Sequence, residues 1–386
     1  MRRKANSILT GILLILVLIA APAGSILMPD RDFSPAENRI LQELPDFNVY
    51  EYLDGRLERD LEDYVNDQFV FRDEFIRVKT AADRTAGVLE NNGVYLAKDQ
   101  YLIEDLAVPD ETQLTACEEA LRYFRESYPD LPMYFLLAPN AGNILEDKLP
   151  ATVELADQNR YMDEFFEYLT AADFWVIDVR EAFRQQKDDV QLYYRTDHHW
   201  TTNGAYLAYQ QAIRDMTGEE PLEFEPFVVQ NNFRGTLYSK SGFTNGMSDE
   251  IRIYLPADRA NYLDSVIYYS DSQTKTTEFY QVDNLEDKDA YTVFGGSNHP
   301  MYTIKTPVES EERLLIVKDS YANSMIPFLT QYYREIVVVD PRYYFENLDD
   351  LIAVEGVTQV LFLYNANTFF TDDSLAGMLV EGEAGE

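Results

Sequence analysis

The chain has 386 residues, enough for one large domain with an insertion, and its 46% hydrophobic content with 28 tyrosines excludes wholesale disorder. Sixty-eight acidic residues against 32 basic ones give a formal net charge of -36, which repels nucleic acid and anionic membrane faces at long range. Surface acids that keep a protein soluble are the bland reading of that charge, and the lone Cys117, set in a helical pattern, cannot form an internal disulfide or decide the compartment.

The N-terminus does decide it. Arg2, Arg3 and Lys4 precede an uncharged run from Ile8 to Ala21 that continues through weakly apolar residues to Met28. By the positive-inside rule the basic cluster stays cytoplasmic and the remainder crosses. The strongly apolar part suits a signal peptide, whereas the stretch to Met28 can just span a bilayer. Ala21-Pro22-Ala23 resembles a cleavage site, but Pro22 is an awkward neighbour there. Residues 1–30 are therefore expected to be a tip and single-pass anchor, with the main domain extracellular.

Residues 31–108 read as a helical lead-in. Leu53, Leu57, Leu61, Tyr64, Val65 and Phe69 recur at helical steps, a second helix carries Phe71, Phe75 and Val78, and Asn91-Asn92-Gly93 marks a turn before a short strand at Val94. From 109 to 370 helices alternate with strand-length apolar runs. Asp110 and Gln113 form a candidate capping box for a helix to Ser127, followed by the strand Met133 to Ala138. A helix from Asp157 to Leu169 leads to the strand Phe174 to Val179, and a helix from Asn203 to Met216 has Thr201, Thr202 or Asn203 as its cap. Between 222 and 305 short aromatic and β-branched runs (Phe227 to Val229, Ile251 to Tyr254, Val266 to Tyr269, Glu278 to Val282, Tyr291 to Phe294) predict an antiparallel insertion. The α/β pattern resumes with Leu314 to Val317, a helix near Asn323 to Tyr333, Ile336 to Val339, a helix from Leu348 to Ala353, and Val360 to Tyr364. This predicts an α/β domain with a parallel sheet covered on both faces, its site at the strands' carboxyl ends. The acidic tail, 371–386, is expected to fray.

Two of the three histidines lie in Tyr193-Tyr194-Arg195-Thr196-Asp197-His198-His199-Trp200-Thr201, so proton-transfer capacity near neutral pH is concentrated there. If that segment is extended, Asp197 and His199 point to one side and His198 to the other. Ser320, in Ile316-Val317-Lys318-Asp319-Ser320-Tyr321, sits where a strand ends and a helix is about to begin, which exposes a hydroxyl beside backbone N–H groups. Asp197, His199 and Ser320 would together make a triad. Two other readings remain: Ser320 as an ordinary helix cap with the histidines packed under Trp200, or a metal site on Asp197, His198 and His199. Diverging adjacent histidines, and the placement of the third, His299, in a turn before Pro300, argue against the metal. No cofactor is called for.

Several stretches together resemble the DHHW family of Gram-positive surface proteins, related to the alginate O-acetyltransferase branch of the SGNH (GDSL-like) hydrolase superfamily. They are Phe33-Ser34-Pro35-Ala36-Glu37-Asn38-Arg39, Asp67-Gln68-Phe69 with Phe71-Arg72-Asp73, Asn92-Gly93-Val94-Tyr95, Ala138-Pro139-Asn140, Thr196 to Thr201, Arg234 to Gly242, Gly295-Gly296-Ser297-Asn298, and Lys318 to Ser324. The resemblance implies a three-layer α/β/α SGNH-like domain in which Asp197 orients, His199 is the base and Ser320 the nucleophile. It also implies an oxyanion hole, for which Gly296 and Asn298 are first choices and Asn140 and the Ser320 N–H the next. Arg342 and Tyr343, by loop position, are candidate carbohydrate contacts, and Trp200 is taken as a substrate contact or packing support. The implied function is transfer or hydrolysis of acetyl groups on a cell-surface polysaccharide, with a membrane O-acyltransferase partner supplying acetyl if it transfers. The competing class is an inactive scaffold that binds glycan or another wall component.

Overall fold

A computed structural model describes residues 24–25, 27–34, 39–243, 247–257 and 265–380. The run Ile8 to Ala21, the Pro35 to Asn38 part of the early motif and residues 381–386 of the tail lie outside the described residues. Among the described residues no helix is long and apolar enough to cross a membrane.

The chain divides into two compact units, one up to Asn92 together with Tyr238–Asn245, the other Gly93–Leu237 with Gly246–Glu386. The first holds two helices at the predicted places, α1 (Arg56–Asp67) and α2 (Arg72–Thr85). The buried Asp67 carboxylate accepts the Gln42 N–H at 2.9 Å and so ties the preceding segment to the end of α1.

The second unit begins with a hairpin of β1 (Val94–Leu96) and β2 (Leu102–Glu104), then α3 (Glu111–Ser127), β3 (Met133–Ala138), α4 (Gln158–Ala171), β4 (Trp175–Val176) and α5 (Thr202–Thr217). An antiparallel ribbon, β5 (Phe224–Phe233) and β6 (Asp249–Pro256), follows. The chain continues through β7 (Val266–Tyr269), β8 (Thr274–Thr276), β9 (Met301–Lys305), β10 (Arg313–Lys318), β11 (Glu335–Val339), α6 (Leu348–Glu355), β12 (Gln359–Asn365) and α7 (Ser374–Val380).

Eight of these strands form one sheet in the order β8-β7-β9-β11-β10-β12-β3-β4. The five from β11 to β4 are parallel and correspond to the five apolar runs, while β9, β7 and β8 extend the sheet antiparallel from β11. The sheet is thus mixed rather than parallel: half of the expected insertion became its edge. The two-residue alternation of the strands separates two cores. Leu136, Ile316, Val338 and Leu361 point to one, and Phe135, Val317, Val337 and Phe362 to the other. Burial on both faces is why these strands read as unbroken apolar runs.

Other expectations need correction. In place of a strand at Tyr291 to Phe294 there is a 3₁₀ turn, Ala290–Val293, and Tyr280 meets Phe294 only in an isolated bridge; these residues are apolar because they plug the core, not because they pair. The strand at Phe174 shrinks to β4, a sheet edge with Trp175 64% exposed. The helix expected from Asn323 breaks into a 3₁₀ turn, Ser320–Ser324, and one turn at Ile326–Leu329, because Pro327 has no N–H to continue a helix entering from before it.

The tail does not fray at Thr371. In α7 Leu375, Met378 and Leu379 are buried, with α7 packed on α3. Ending the chain at Asp373 should therefore destabilise the protein by several kcal/mol, about 1.5–3 for each fully buried side chain. Urea unfolding reads this directly, and an unchanged midpoint would mean that the tail contributes nothing.

Candidate active site

The histidine segment is the tip of a hairpin rather than an extended strand. Tyr193 and Trp200 form an antiparallel bridge, and the Thr201 N–H donates to the Leu192 carbonyl at 2.8 Å. Asp249, buried on β6, binds one side of the tip: its carboxylate accepts the N–H groups of Arg195 (3.0 Å) and Thr196 (2.8 Å), the Thr196 hydroxyl (2.7 Å) and the Gln191 amide (2.8 Å). Four donors satisfy a buried charge that would otherwise be costly.

Within the tip, Asp197 and His199 face each other by a local turn. Asp197 Oδ1 accepts both the His199 N–H (3.0 Å) and His199 Nδ1 (2.6 Å). Asp197 Oδ2 accepts the Thr236 N–H (2.7 Å) and hydroxyl (3.0 Å). Burial by itself would raise the Asp197 pKa, but the two histidines and these hydrogen bonds hold it far below the usual carboxylate range. His198 does not diverge: its ring lies 3.9 Å from that of His199, with Nδ1 2.7 Å from the Thr236 hydroxyl. The bent tip overrides the strand alternation that predicted otherwise.

Ser320 follows β10, half-buried, at the start of its 3₁₀ turn. Asp319 holds that turn, accepting the Tyr321 N–H at 2.9 Å and, from the end of β12, the Asn365 N–H at 2.8 Å. Ser320 Oγ lies 2.9 Å from His199 Nε2, so one hydrogen-bonded line runs from hydroxyl through imidazole to carboxylate across 121 residues of sequence. Burial, then the charge of His198, lower the His199 pKa to about 4 against the opposing pull of Asp197, and the ring is neutral near pH 7. A neutral imidazole placed so can take the hydroxyl proton, and the carboxylate can stabilise the imidazolium that results. Asp197, His198 and His199 have ligand atoms within 4.8 Å of one another, yet His199 has Asp197 on one nitrogen and Ser320 on the other. A metal ion bound through His199 would have to break this line.

The other named residues fall differently. Trp200 is wholly buried and cannot touch a substrate; its indole N–H donates to the Tyr321 carbonyl and to Ser324 Oγ, both at 3.0 Å, joining the hairpin to the turn after Ser320. The Gly296 N–H is spent on the Thr292 carbonyl at 2.9 Å, so it is not a free oxyanion donor, and Asn298 is exposed in the same loop. Asn140 is buried and bonded to Gln158 and Asn365, in a network that reaches Asp319 through Asn365. Among the described residues no acceptor takes the Ser320 N–H. The Arg342 guanidinium grips Asp340 at 2.8 and 2.6 Å and is close enough to His199 and Asp319 to bias both electrostatically, while Tyr343 is exposed.

Sequence reasoning missed four supports. Besides Asp249, Thr236 anchors Asp197, and Gly235 is required because a Cβ there would lie 2.2 Å from Asp197 Oδ2. The Gly235-Thr236 pair lies in the Arg234 to Gly242 stretch that carries part of the family resemblance, but only the fold shows what it touches. Tyr291 lies flat on His199, with ring centroids 3.7 Å apart and planes at 9°, and its hydroxyl donates to the Ser320 carbonyl at 3.1 Å.

Residues 99–245 match the sequence family described as SGNH hydrolase-like domain, acetyltransferase AlgX, a stretch that includes Asp197 and His199 and stops short of Ser320. No curated protein matches the chain. Among solved structures, Bacillus cereus PatB1 is similar at 25% identity and TM-score 0.60, over 72% of this chain and 97% of that one. PatB1 with a sulfonyl adduct is similar at 23% identity and TM-score 0.59, over 73% of this chain and 97% of that one. A DHHW family protein from Eubacterium siraeum shares the fold at 21% identity and TM-score 0.58, over 74% of this chain and 95% of that one. The expected likeness to DHHW proteins and to the SGNH-like acetyltransferases is borne out, and the fold is SGNH-like α/β.

Gly235→Ala should force Asp197 off His199 and cost about 3 kcal/mol of stability. Thr236→Val removes the hydroxyl that bonds both Asp197 and His198 Nδ1, of which the bond to the charged carboxylate is worth about 1.5–3 kcal/mol, and should leave the fold intact. Thermal unfolding of both variants tests this, and an unchanged stability in either would contradict the assigned contacts.

Proposed function

We propose that this chain, which carries an SGNH-like domain of the AlgX acetyltransferase type, is a serine acyltransferase or esterase that moves acetyl groups on a cell-surface polysaccharide. The observation that carries the reading is the unbroken line from Ser320 Oγ to His199 (2.9 Å) and from His199 to Asp197 (2.6 Å). A scaffold that only binds glycan has no need of it.

In the proposed reaction Ser320 Oγ attacks the ester carbonyl while its proton passes to His199 Nε2. The bond to the donor alcohol breaks as His199 returns that proton to the departing oxygen, leaving acetyl-Ser320. A sugar hydroxyl, or water, then attacks the acyl carbon with His199 again taking the proton, which ends on Ser320. Asp197 holds the imidazole in the tautomer this requires and stabilises its charged form. The Ser320 N–H is the oxyanion donor we assign, in place of Gly296, and Arg342 is the residue beside the site best placed to meet a substrate oxygen. Acetyl supply by a membrane O-acyltransferase, and an extracellular setting for the domain, accompany the transferase form of this reading.

Ser320→Ala and His199→Ala should each reduce acetate release from p-nitrophenyl acetate by roughly 10⁴- to 10⁶-fold, and a sulfonyl fluoride should add to Ser320, located by peptide mass spectrometry. Activity untouched by both substitutions would end the proposal. Because His199 must be neutral to act and its pKa is lowered to about 4, kcat/KM should stay level from neutral pH through 6.5. Below about pH 4 it should fall about tenfold per unit. A fall already centred near 6.5 would show an imidazole unaffected by its burial.

A further inference from the structure

Thirteen of the 26 large apolar side chains exposed among the described residues fall between Leu27 and Val78. Such concentration on a short segment marks a surface that something covers. Its longest helix is α2, where Phe71 (66% exposed), Phe75 (51%) and Val78 (68%) stand at i, i+4 and i+7 and form one stripe along the helix. On the opposite face Thr80 is buried, so the helix turns its apolar stripe outward. Phe71 caps the helix with φ 58°, a left-handed conformation that a bulky side chain adopts at a cost, and its ring has little contact to offset that cost. Leu61 (45%) and Val65 (55%) on α1 are exposed in the same unit.

The occupant is indicated by where the chain arrives. The uncharged run Ile8 to Ala21 ends just before the first described residues, and Ser25 Oγ accepts the Val70 N–H at 2.9 Å. Ser25, four residues after Ala21, is therefore fastened one residue from Phe71, with Leu27 (83%) and Met28 (58%) exposed beside the same connection. Four residues of chain reach at most about 14 Å, so a bilayer entered by the run lies within that reach of the connection beside Phe71. By sequence α2 has four basic residues (Arg72, Arg77, Lys79, Arg84) against three acidic ones (Asp73, Glu74, Asp83), so this helix escapes the negative balance of the chain and is not repelled by a headgroup layer.

We propose that the Phe71-Phe75-Val78 stripe of α2 lies in the interfacial layer of the bilayer that the N-terminal run enters, forming a second, peripheral membrane contact. The inference rests on reading Ile8 to Ala21 as a membrane segment. The full chain, reconstituted in phosphatidylcholine vesicles, would carry a spin label at Phe75→Cys, Val78→Cys or, on the charged face of α1, Glu62→Cys; the native Cys117 is buried and its thiol is pushed up to about 12, which keeps it unlabelled. Accessibility to oxygen, which concentrates in lipid, is compared with accessibility to a water-soluble nickel chelate.

Labels at 75 and 78 should be oxygen-rich and shielded from nickel while the label at 62 is open to nickel. Phe71→Asn, which suits the left-handed position better than Phe and should leave the fold unchanged by circular dichroism, should raise nickel access at 75 when combined with Val78→Ser. Nickel access at 75 and 78 equal to that at 62 in vesicle-bound protein would overturn the stripe while leaving the membrane segment standing. Failure of the chain to float with vesicles would overturn both. Shielding that persists in detergent together with a dimer mass would assign the stripe to a second copy instead.

Discussion

The Asp197 carboxylate is the group on which the rest of the site depends. It is buried and charged, which is tolerable only because all its strong acceptor positions are filled, two by His199 and two by Thr236. Those four bonds bring together a hairpin tip and the start of the short helix, Thr236–Ser241, that comes after β5. They also leave His199 a single orientation, with Nε2 directed at Ser320. The close approach of Gly235 belongs to the same constraint, since any side chain there would occupy the space of the carboxylate.

Around that centre the chain builds stiffness in layers. Asp249 fixes the root of the tip, Trp200 bonds the hairpin to the turn after Ser320, and Tyr291 covers the imidazole face. A stacked aromatic ring and a buried indole restrict rotation without adding charge, so the hydroxyl, imidazole and carboxylate are held in line at little electrostatic cost. Holding groups in reacting geometry before a substrate arrives is where much of an enzyme's rate advantage originates. On the other side of Ser320, Asp319 ties the turn to β12, and the buried Lys318 sits 3.5 Å from Asp340. The carboxyl ends of adjacent parallel strands thus share one polar floor.

How much of this was legible can be argued residue by residue. The strands β3, β10, β11 and β12 were readable because burial on both faces leaves an unbroken apolar run that no surface element produces. That Asp197, His199 and Ser320 would meet was a readable expectation because few residue types can move protons near neutral pH, and the chain has only three histidines to distribute. Gly296 was misassigned because a glycine in a turn looks alike whether its N–H is free or, as here, already bonded to Thr292. Trp200 was ambiguous for a related reason: an aromatic beside a motif reads the same buried or exposed.

The sequence by itself determined the alternation of helices and strands, the chemistry of the Asp197, His199 and Ser320 side chains, and the apolar character of the N-terminal run, because each is a property of composition and spacing along a few residues. Only the tertiary structure decided that β7, β8 and β9 join the main sheet, that Thr236, Asp249 and Tyr291 serve the histidine hairpin, and that His198 lies beside His199 rather than opposite. These depend on contacts between residues tens to more than a hundred positions apart, whose partners are selected by packing and by the need to satisfy buried polar groups. Local sequence carries no mark of either.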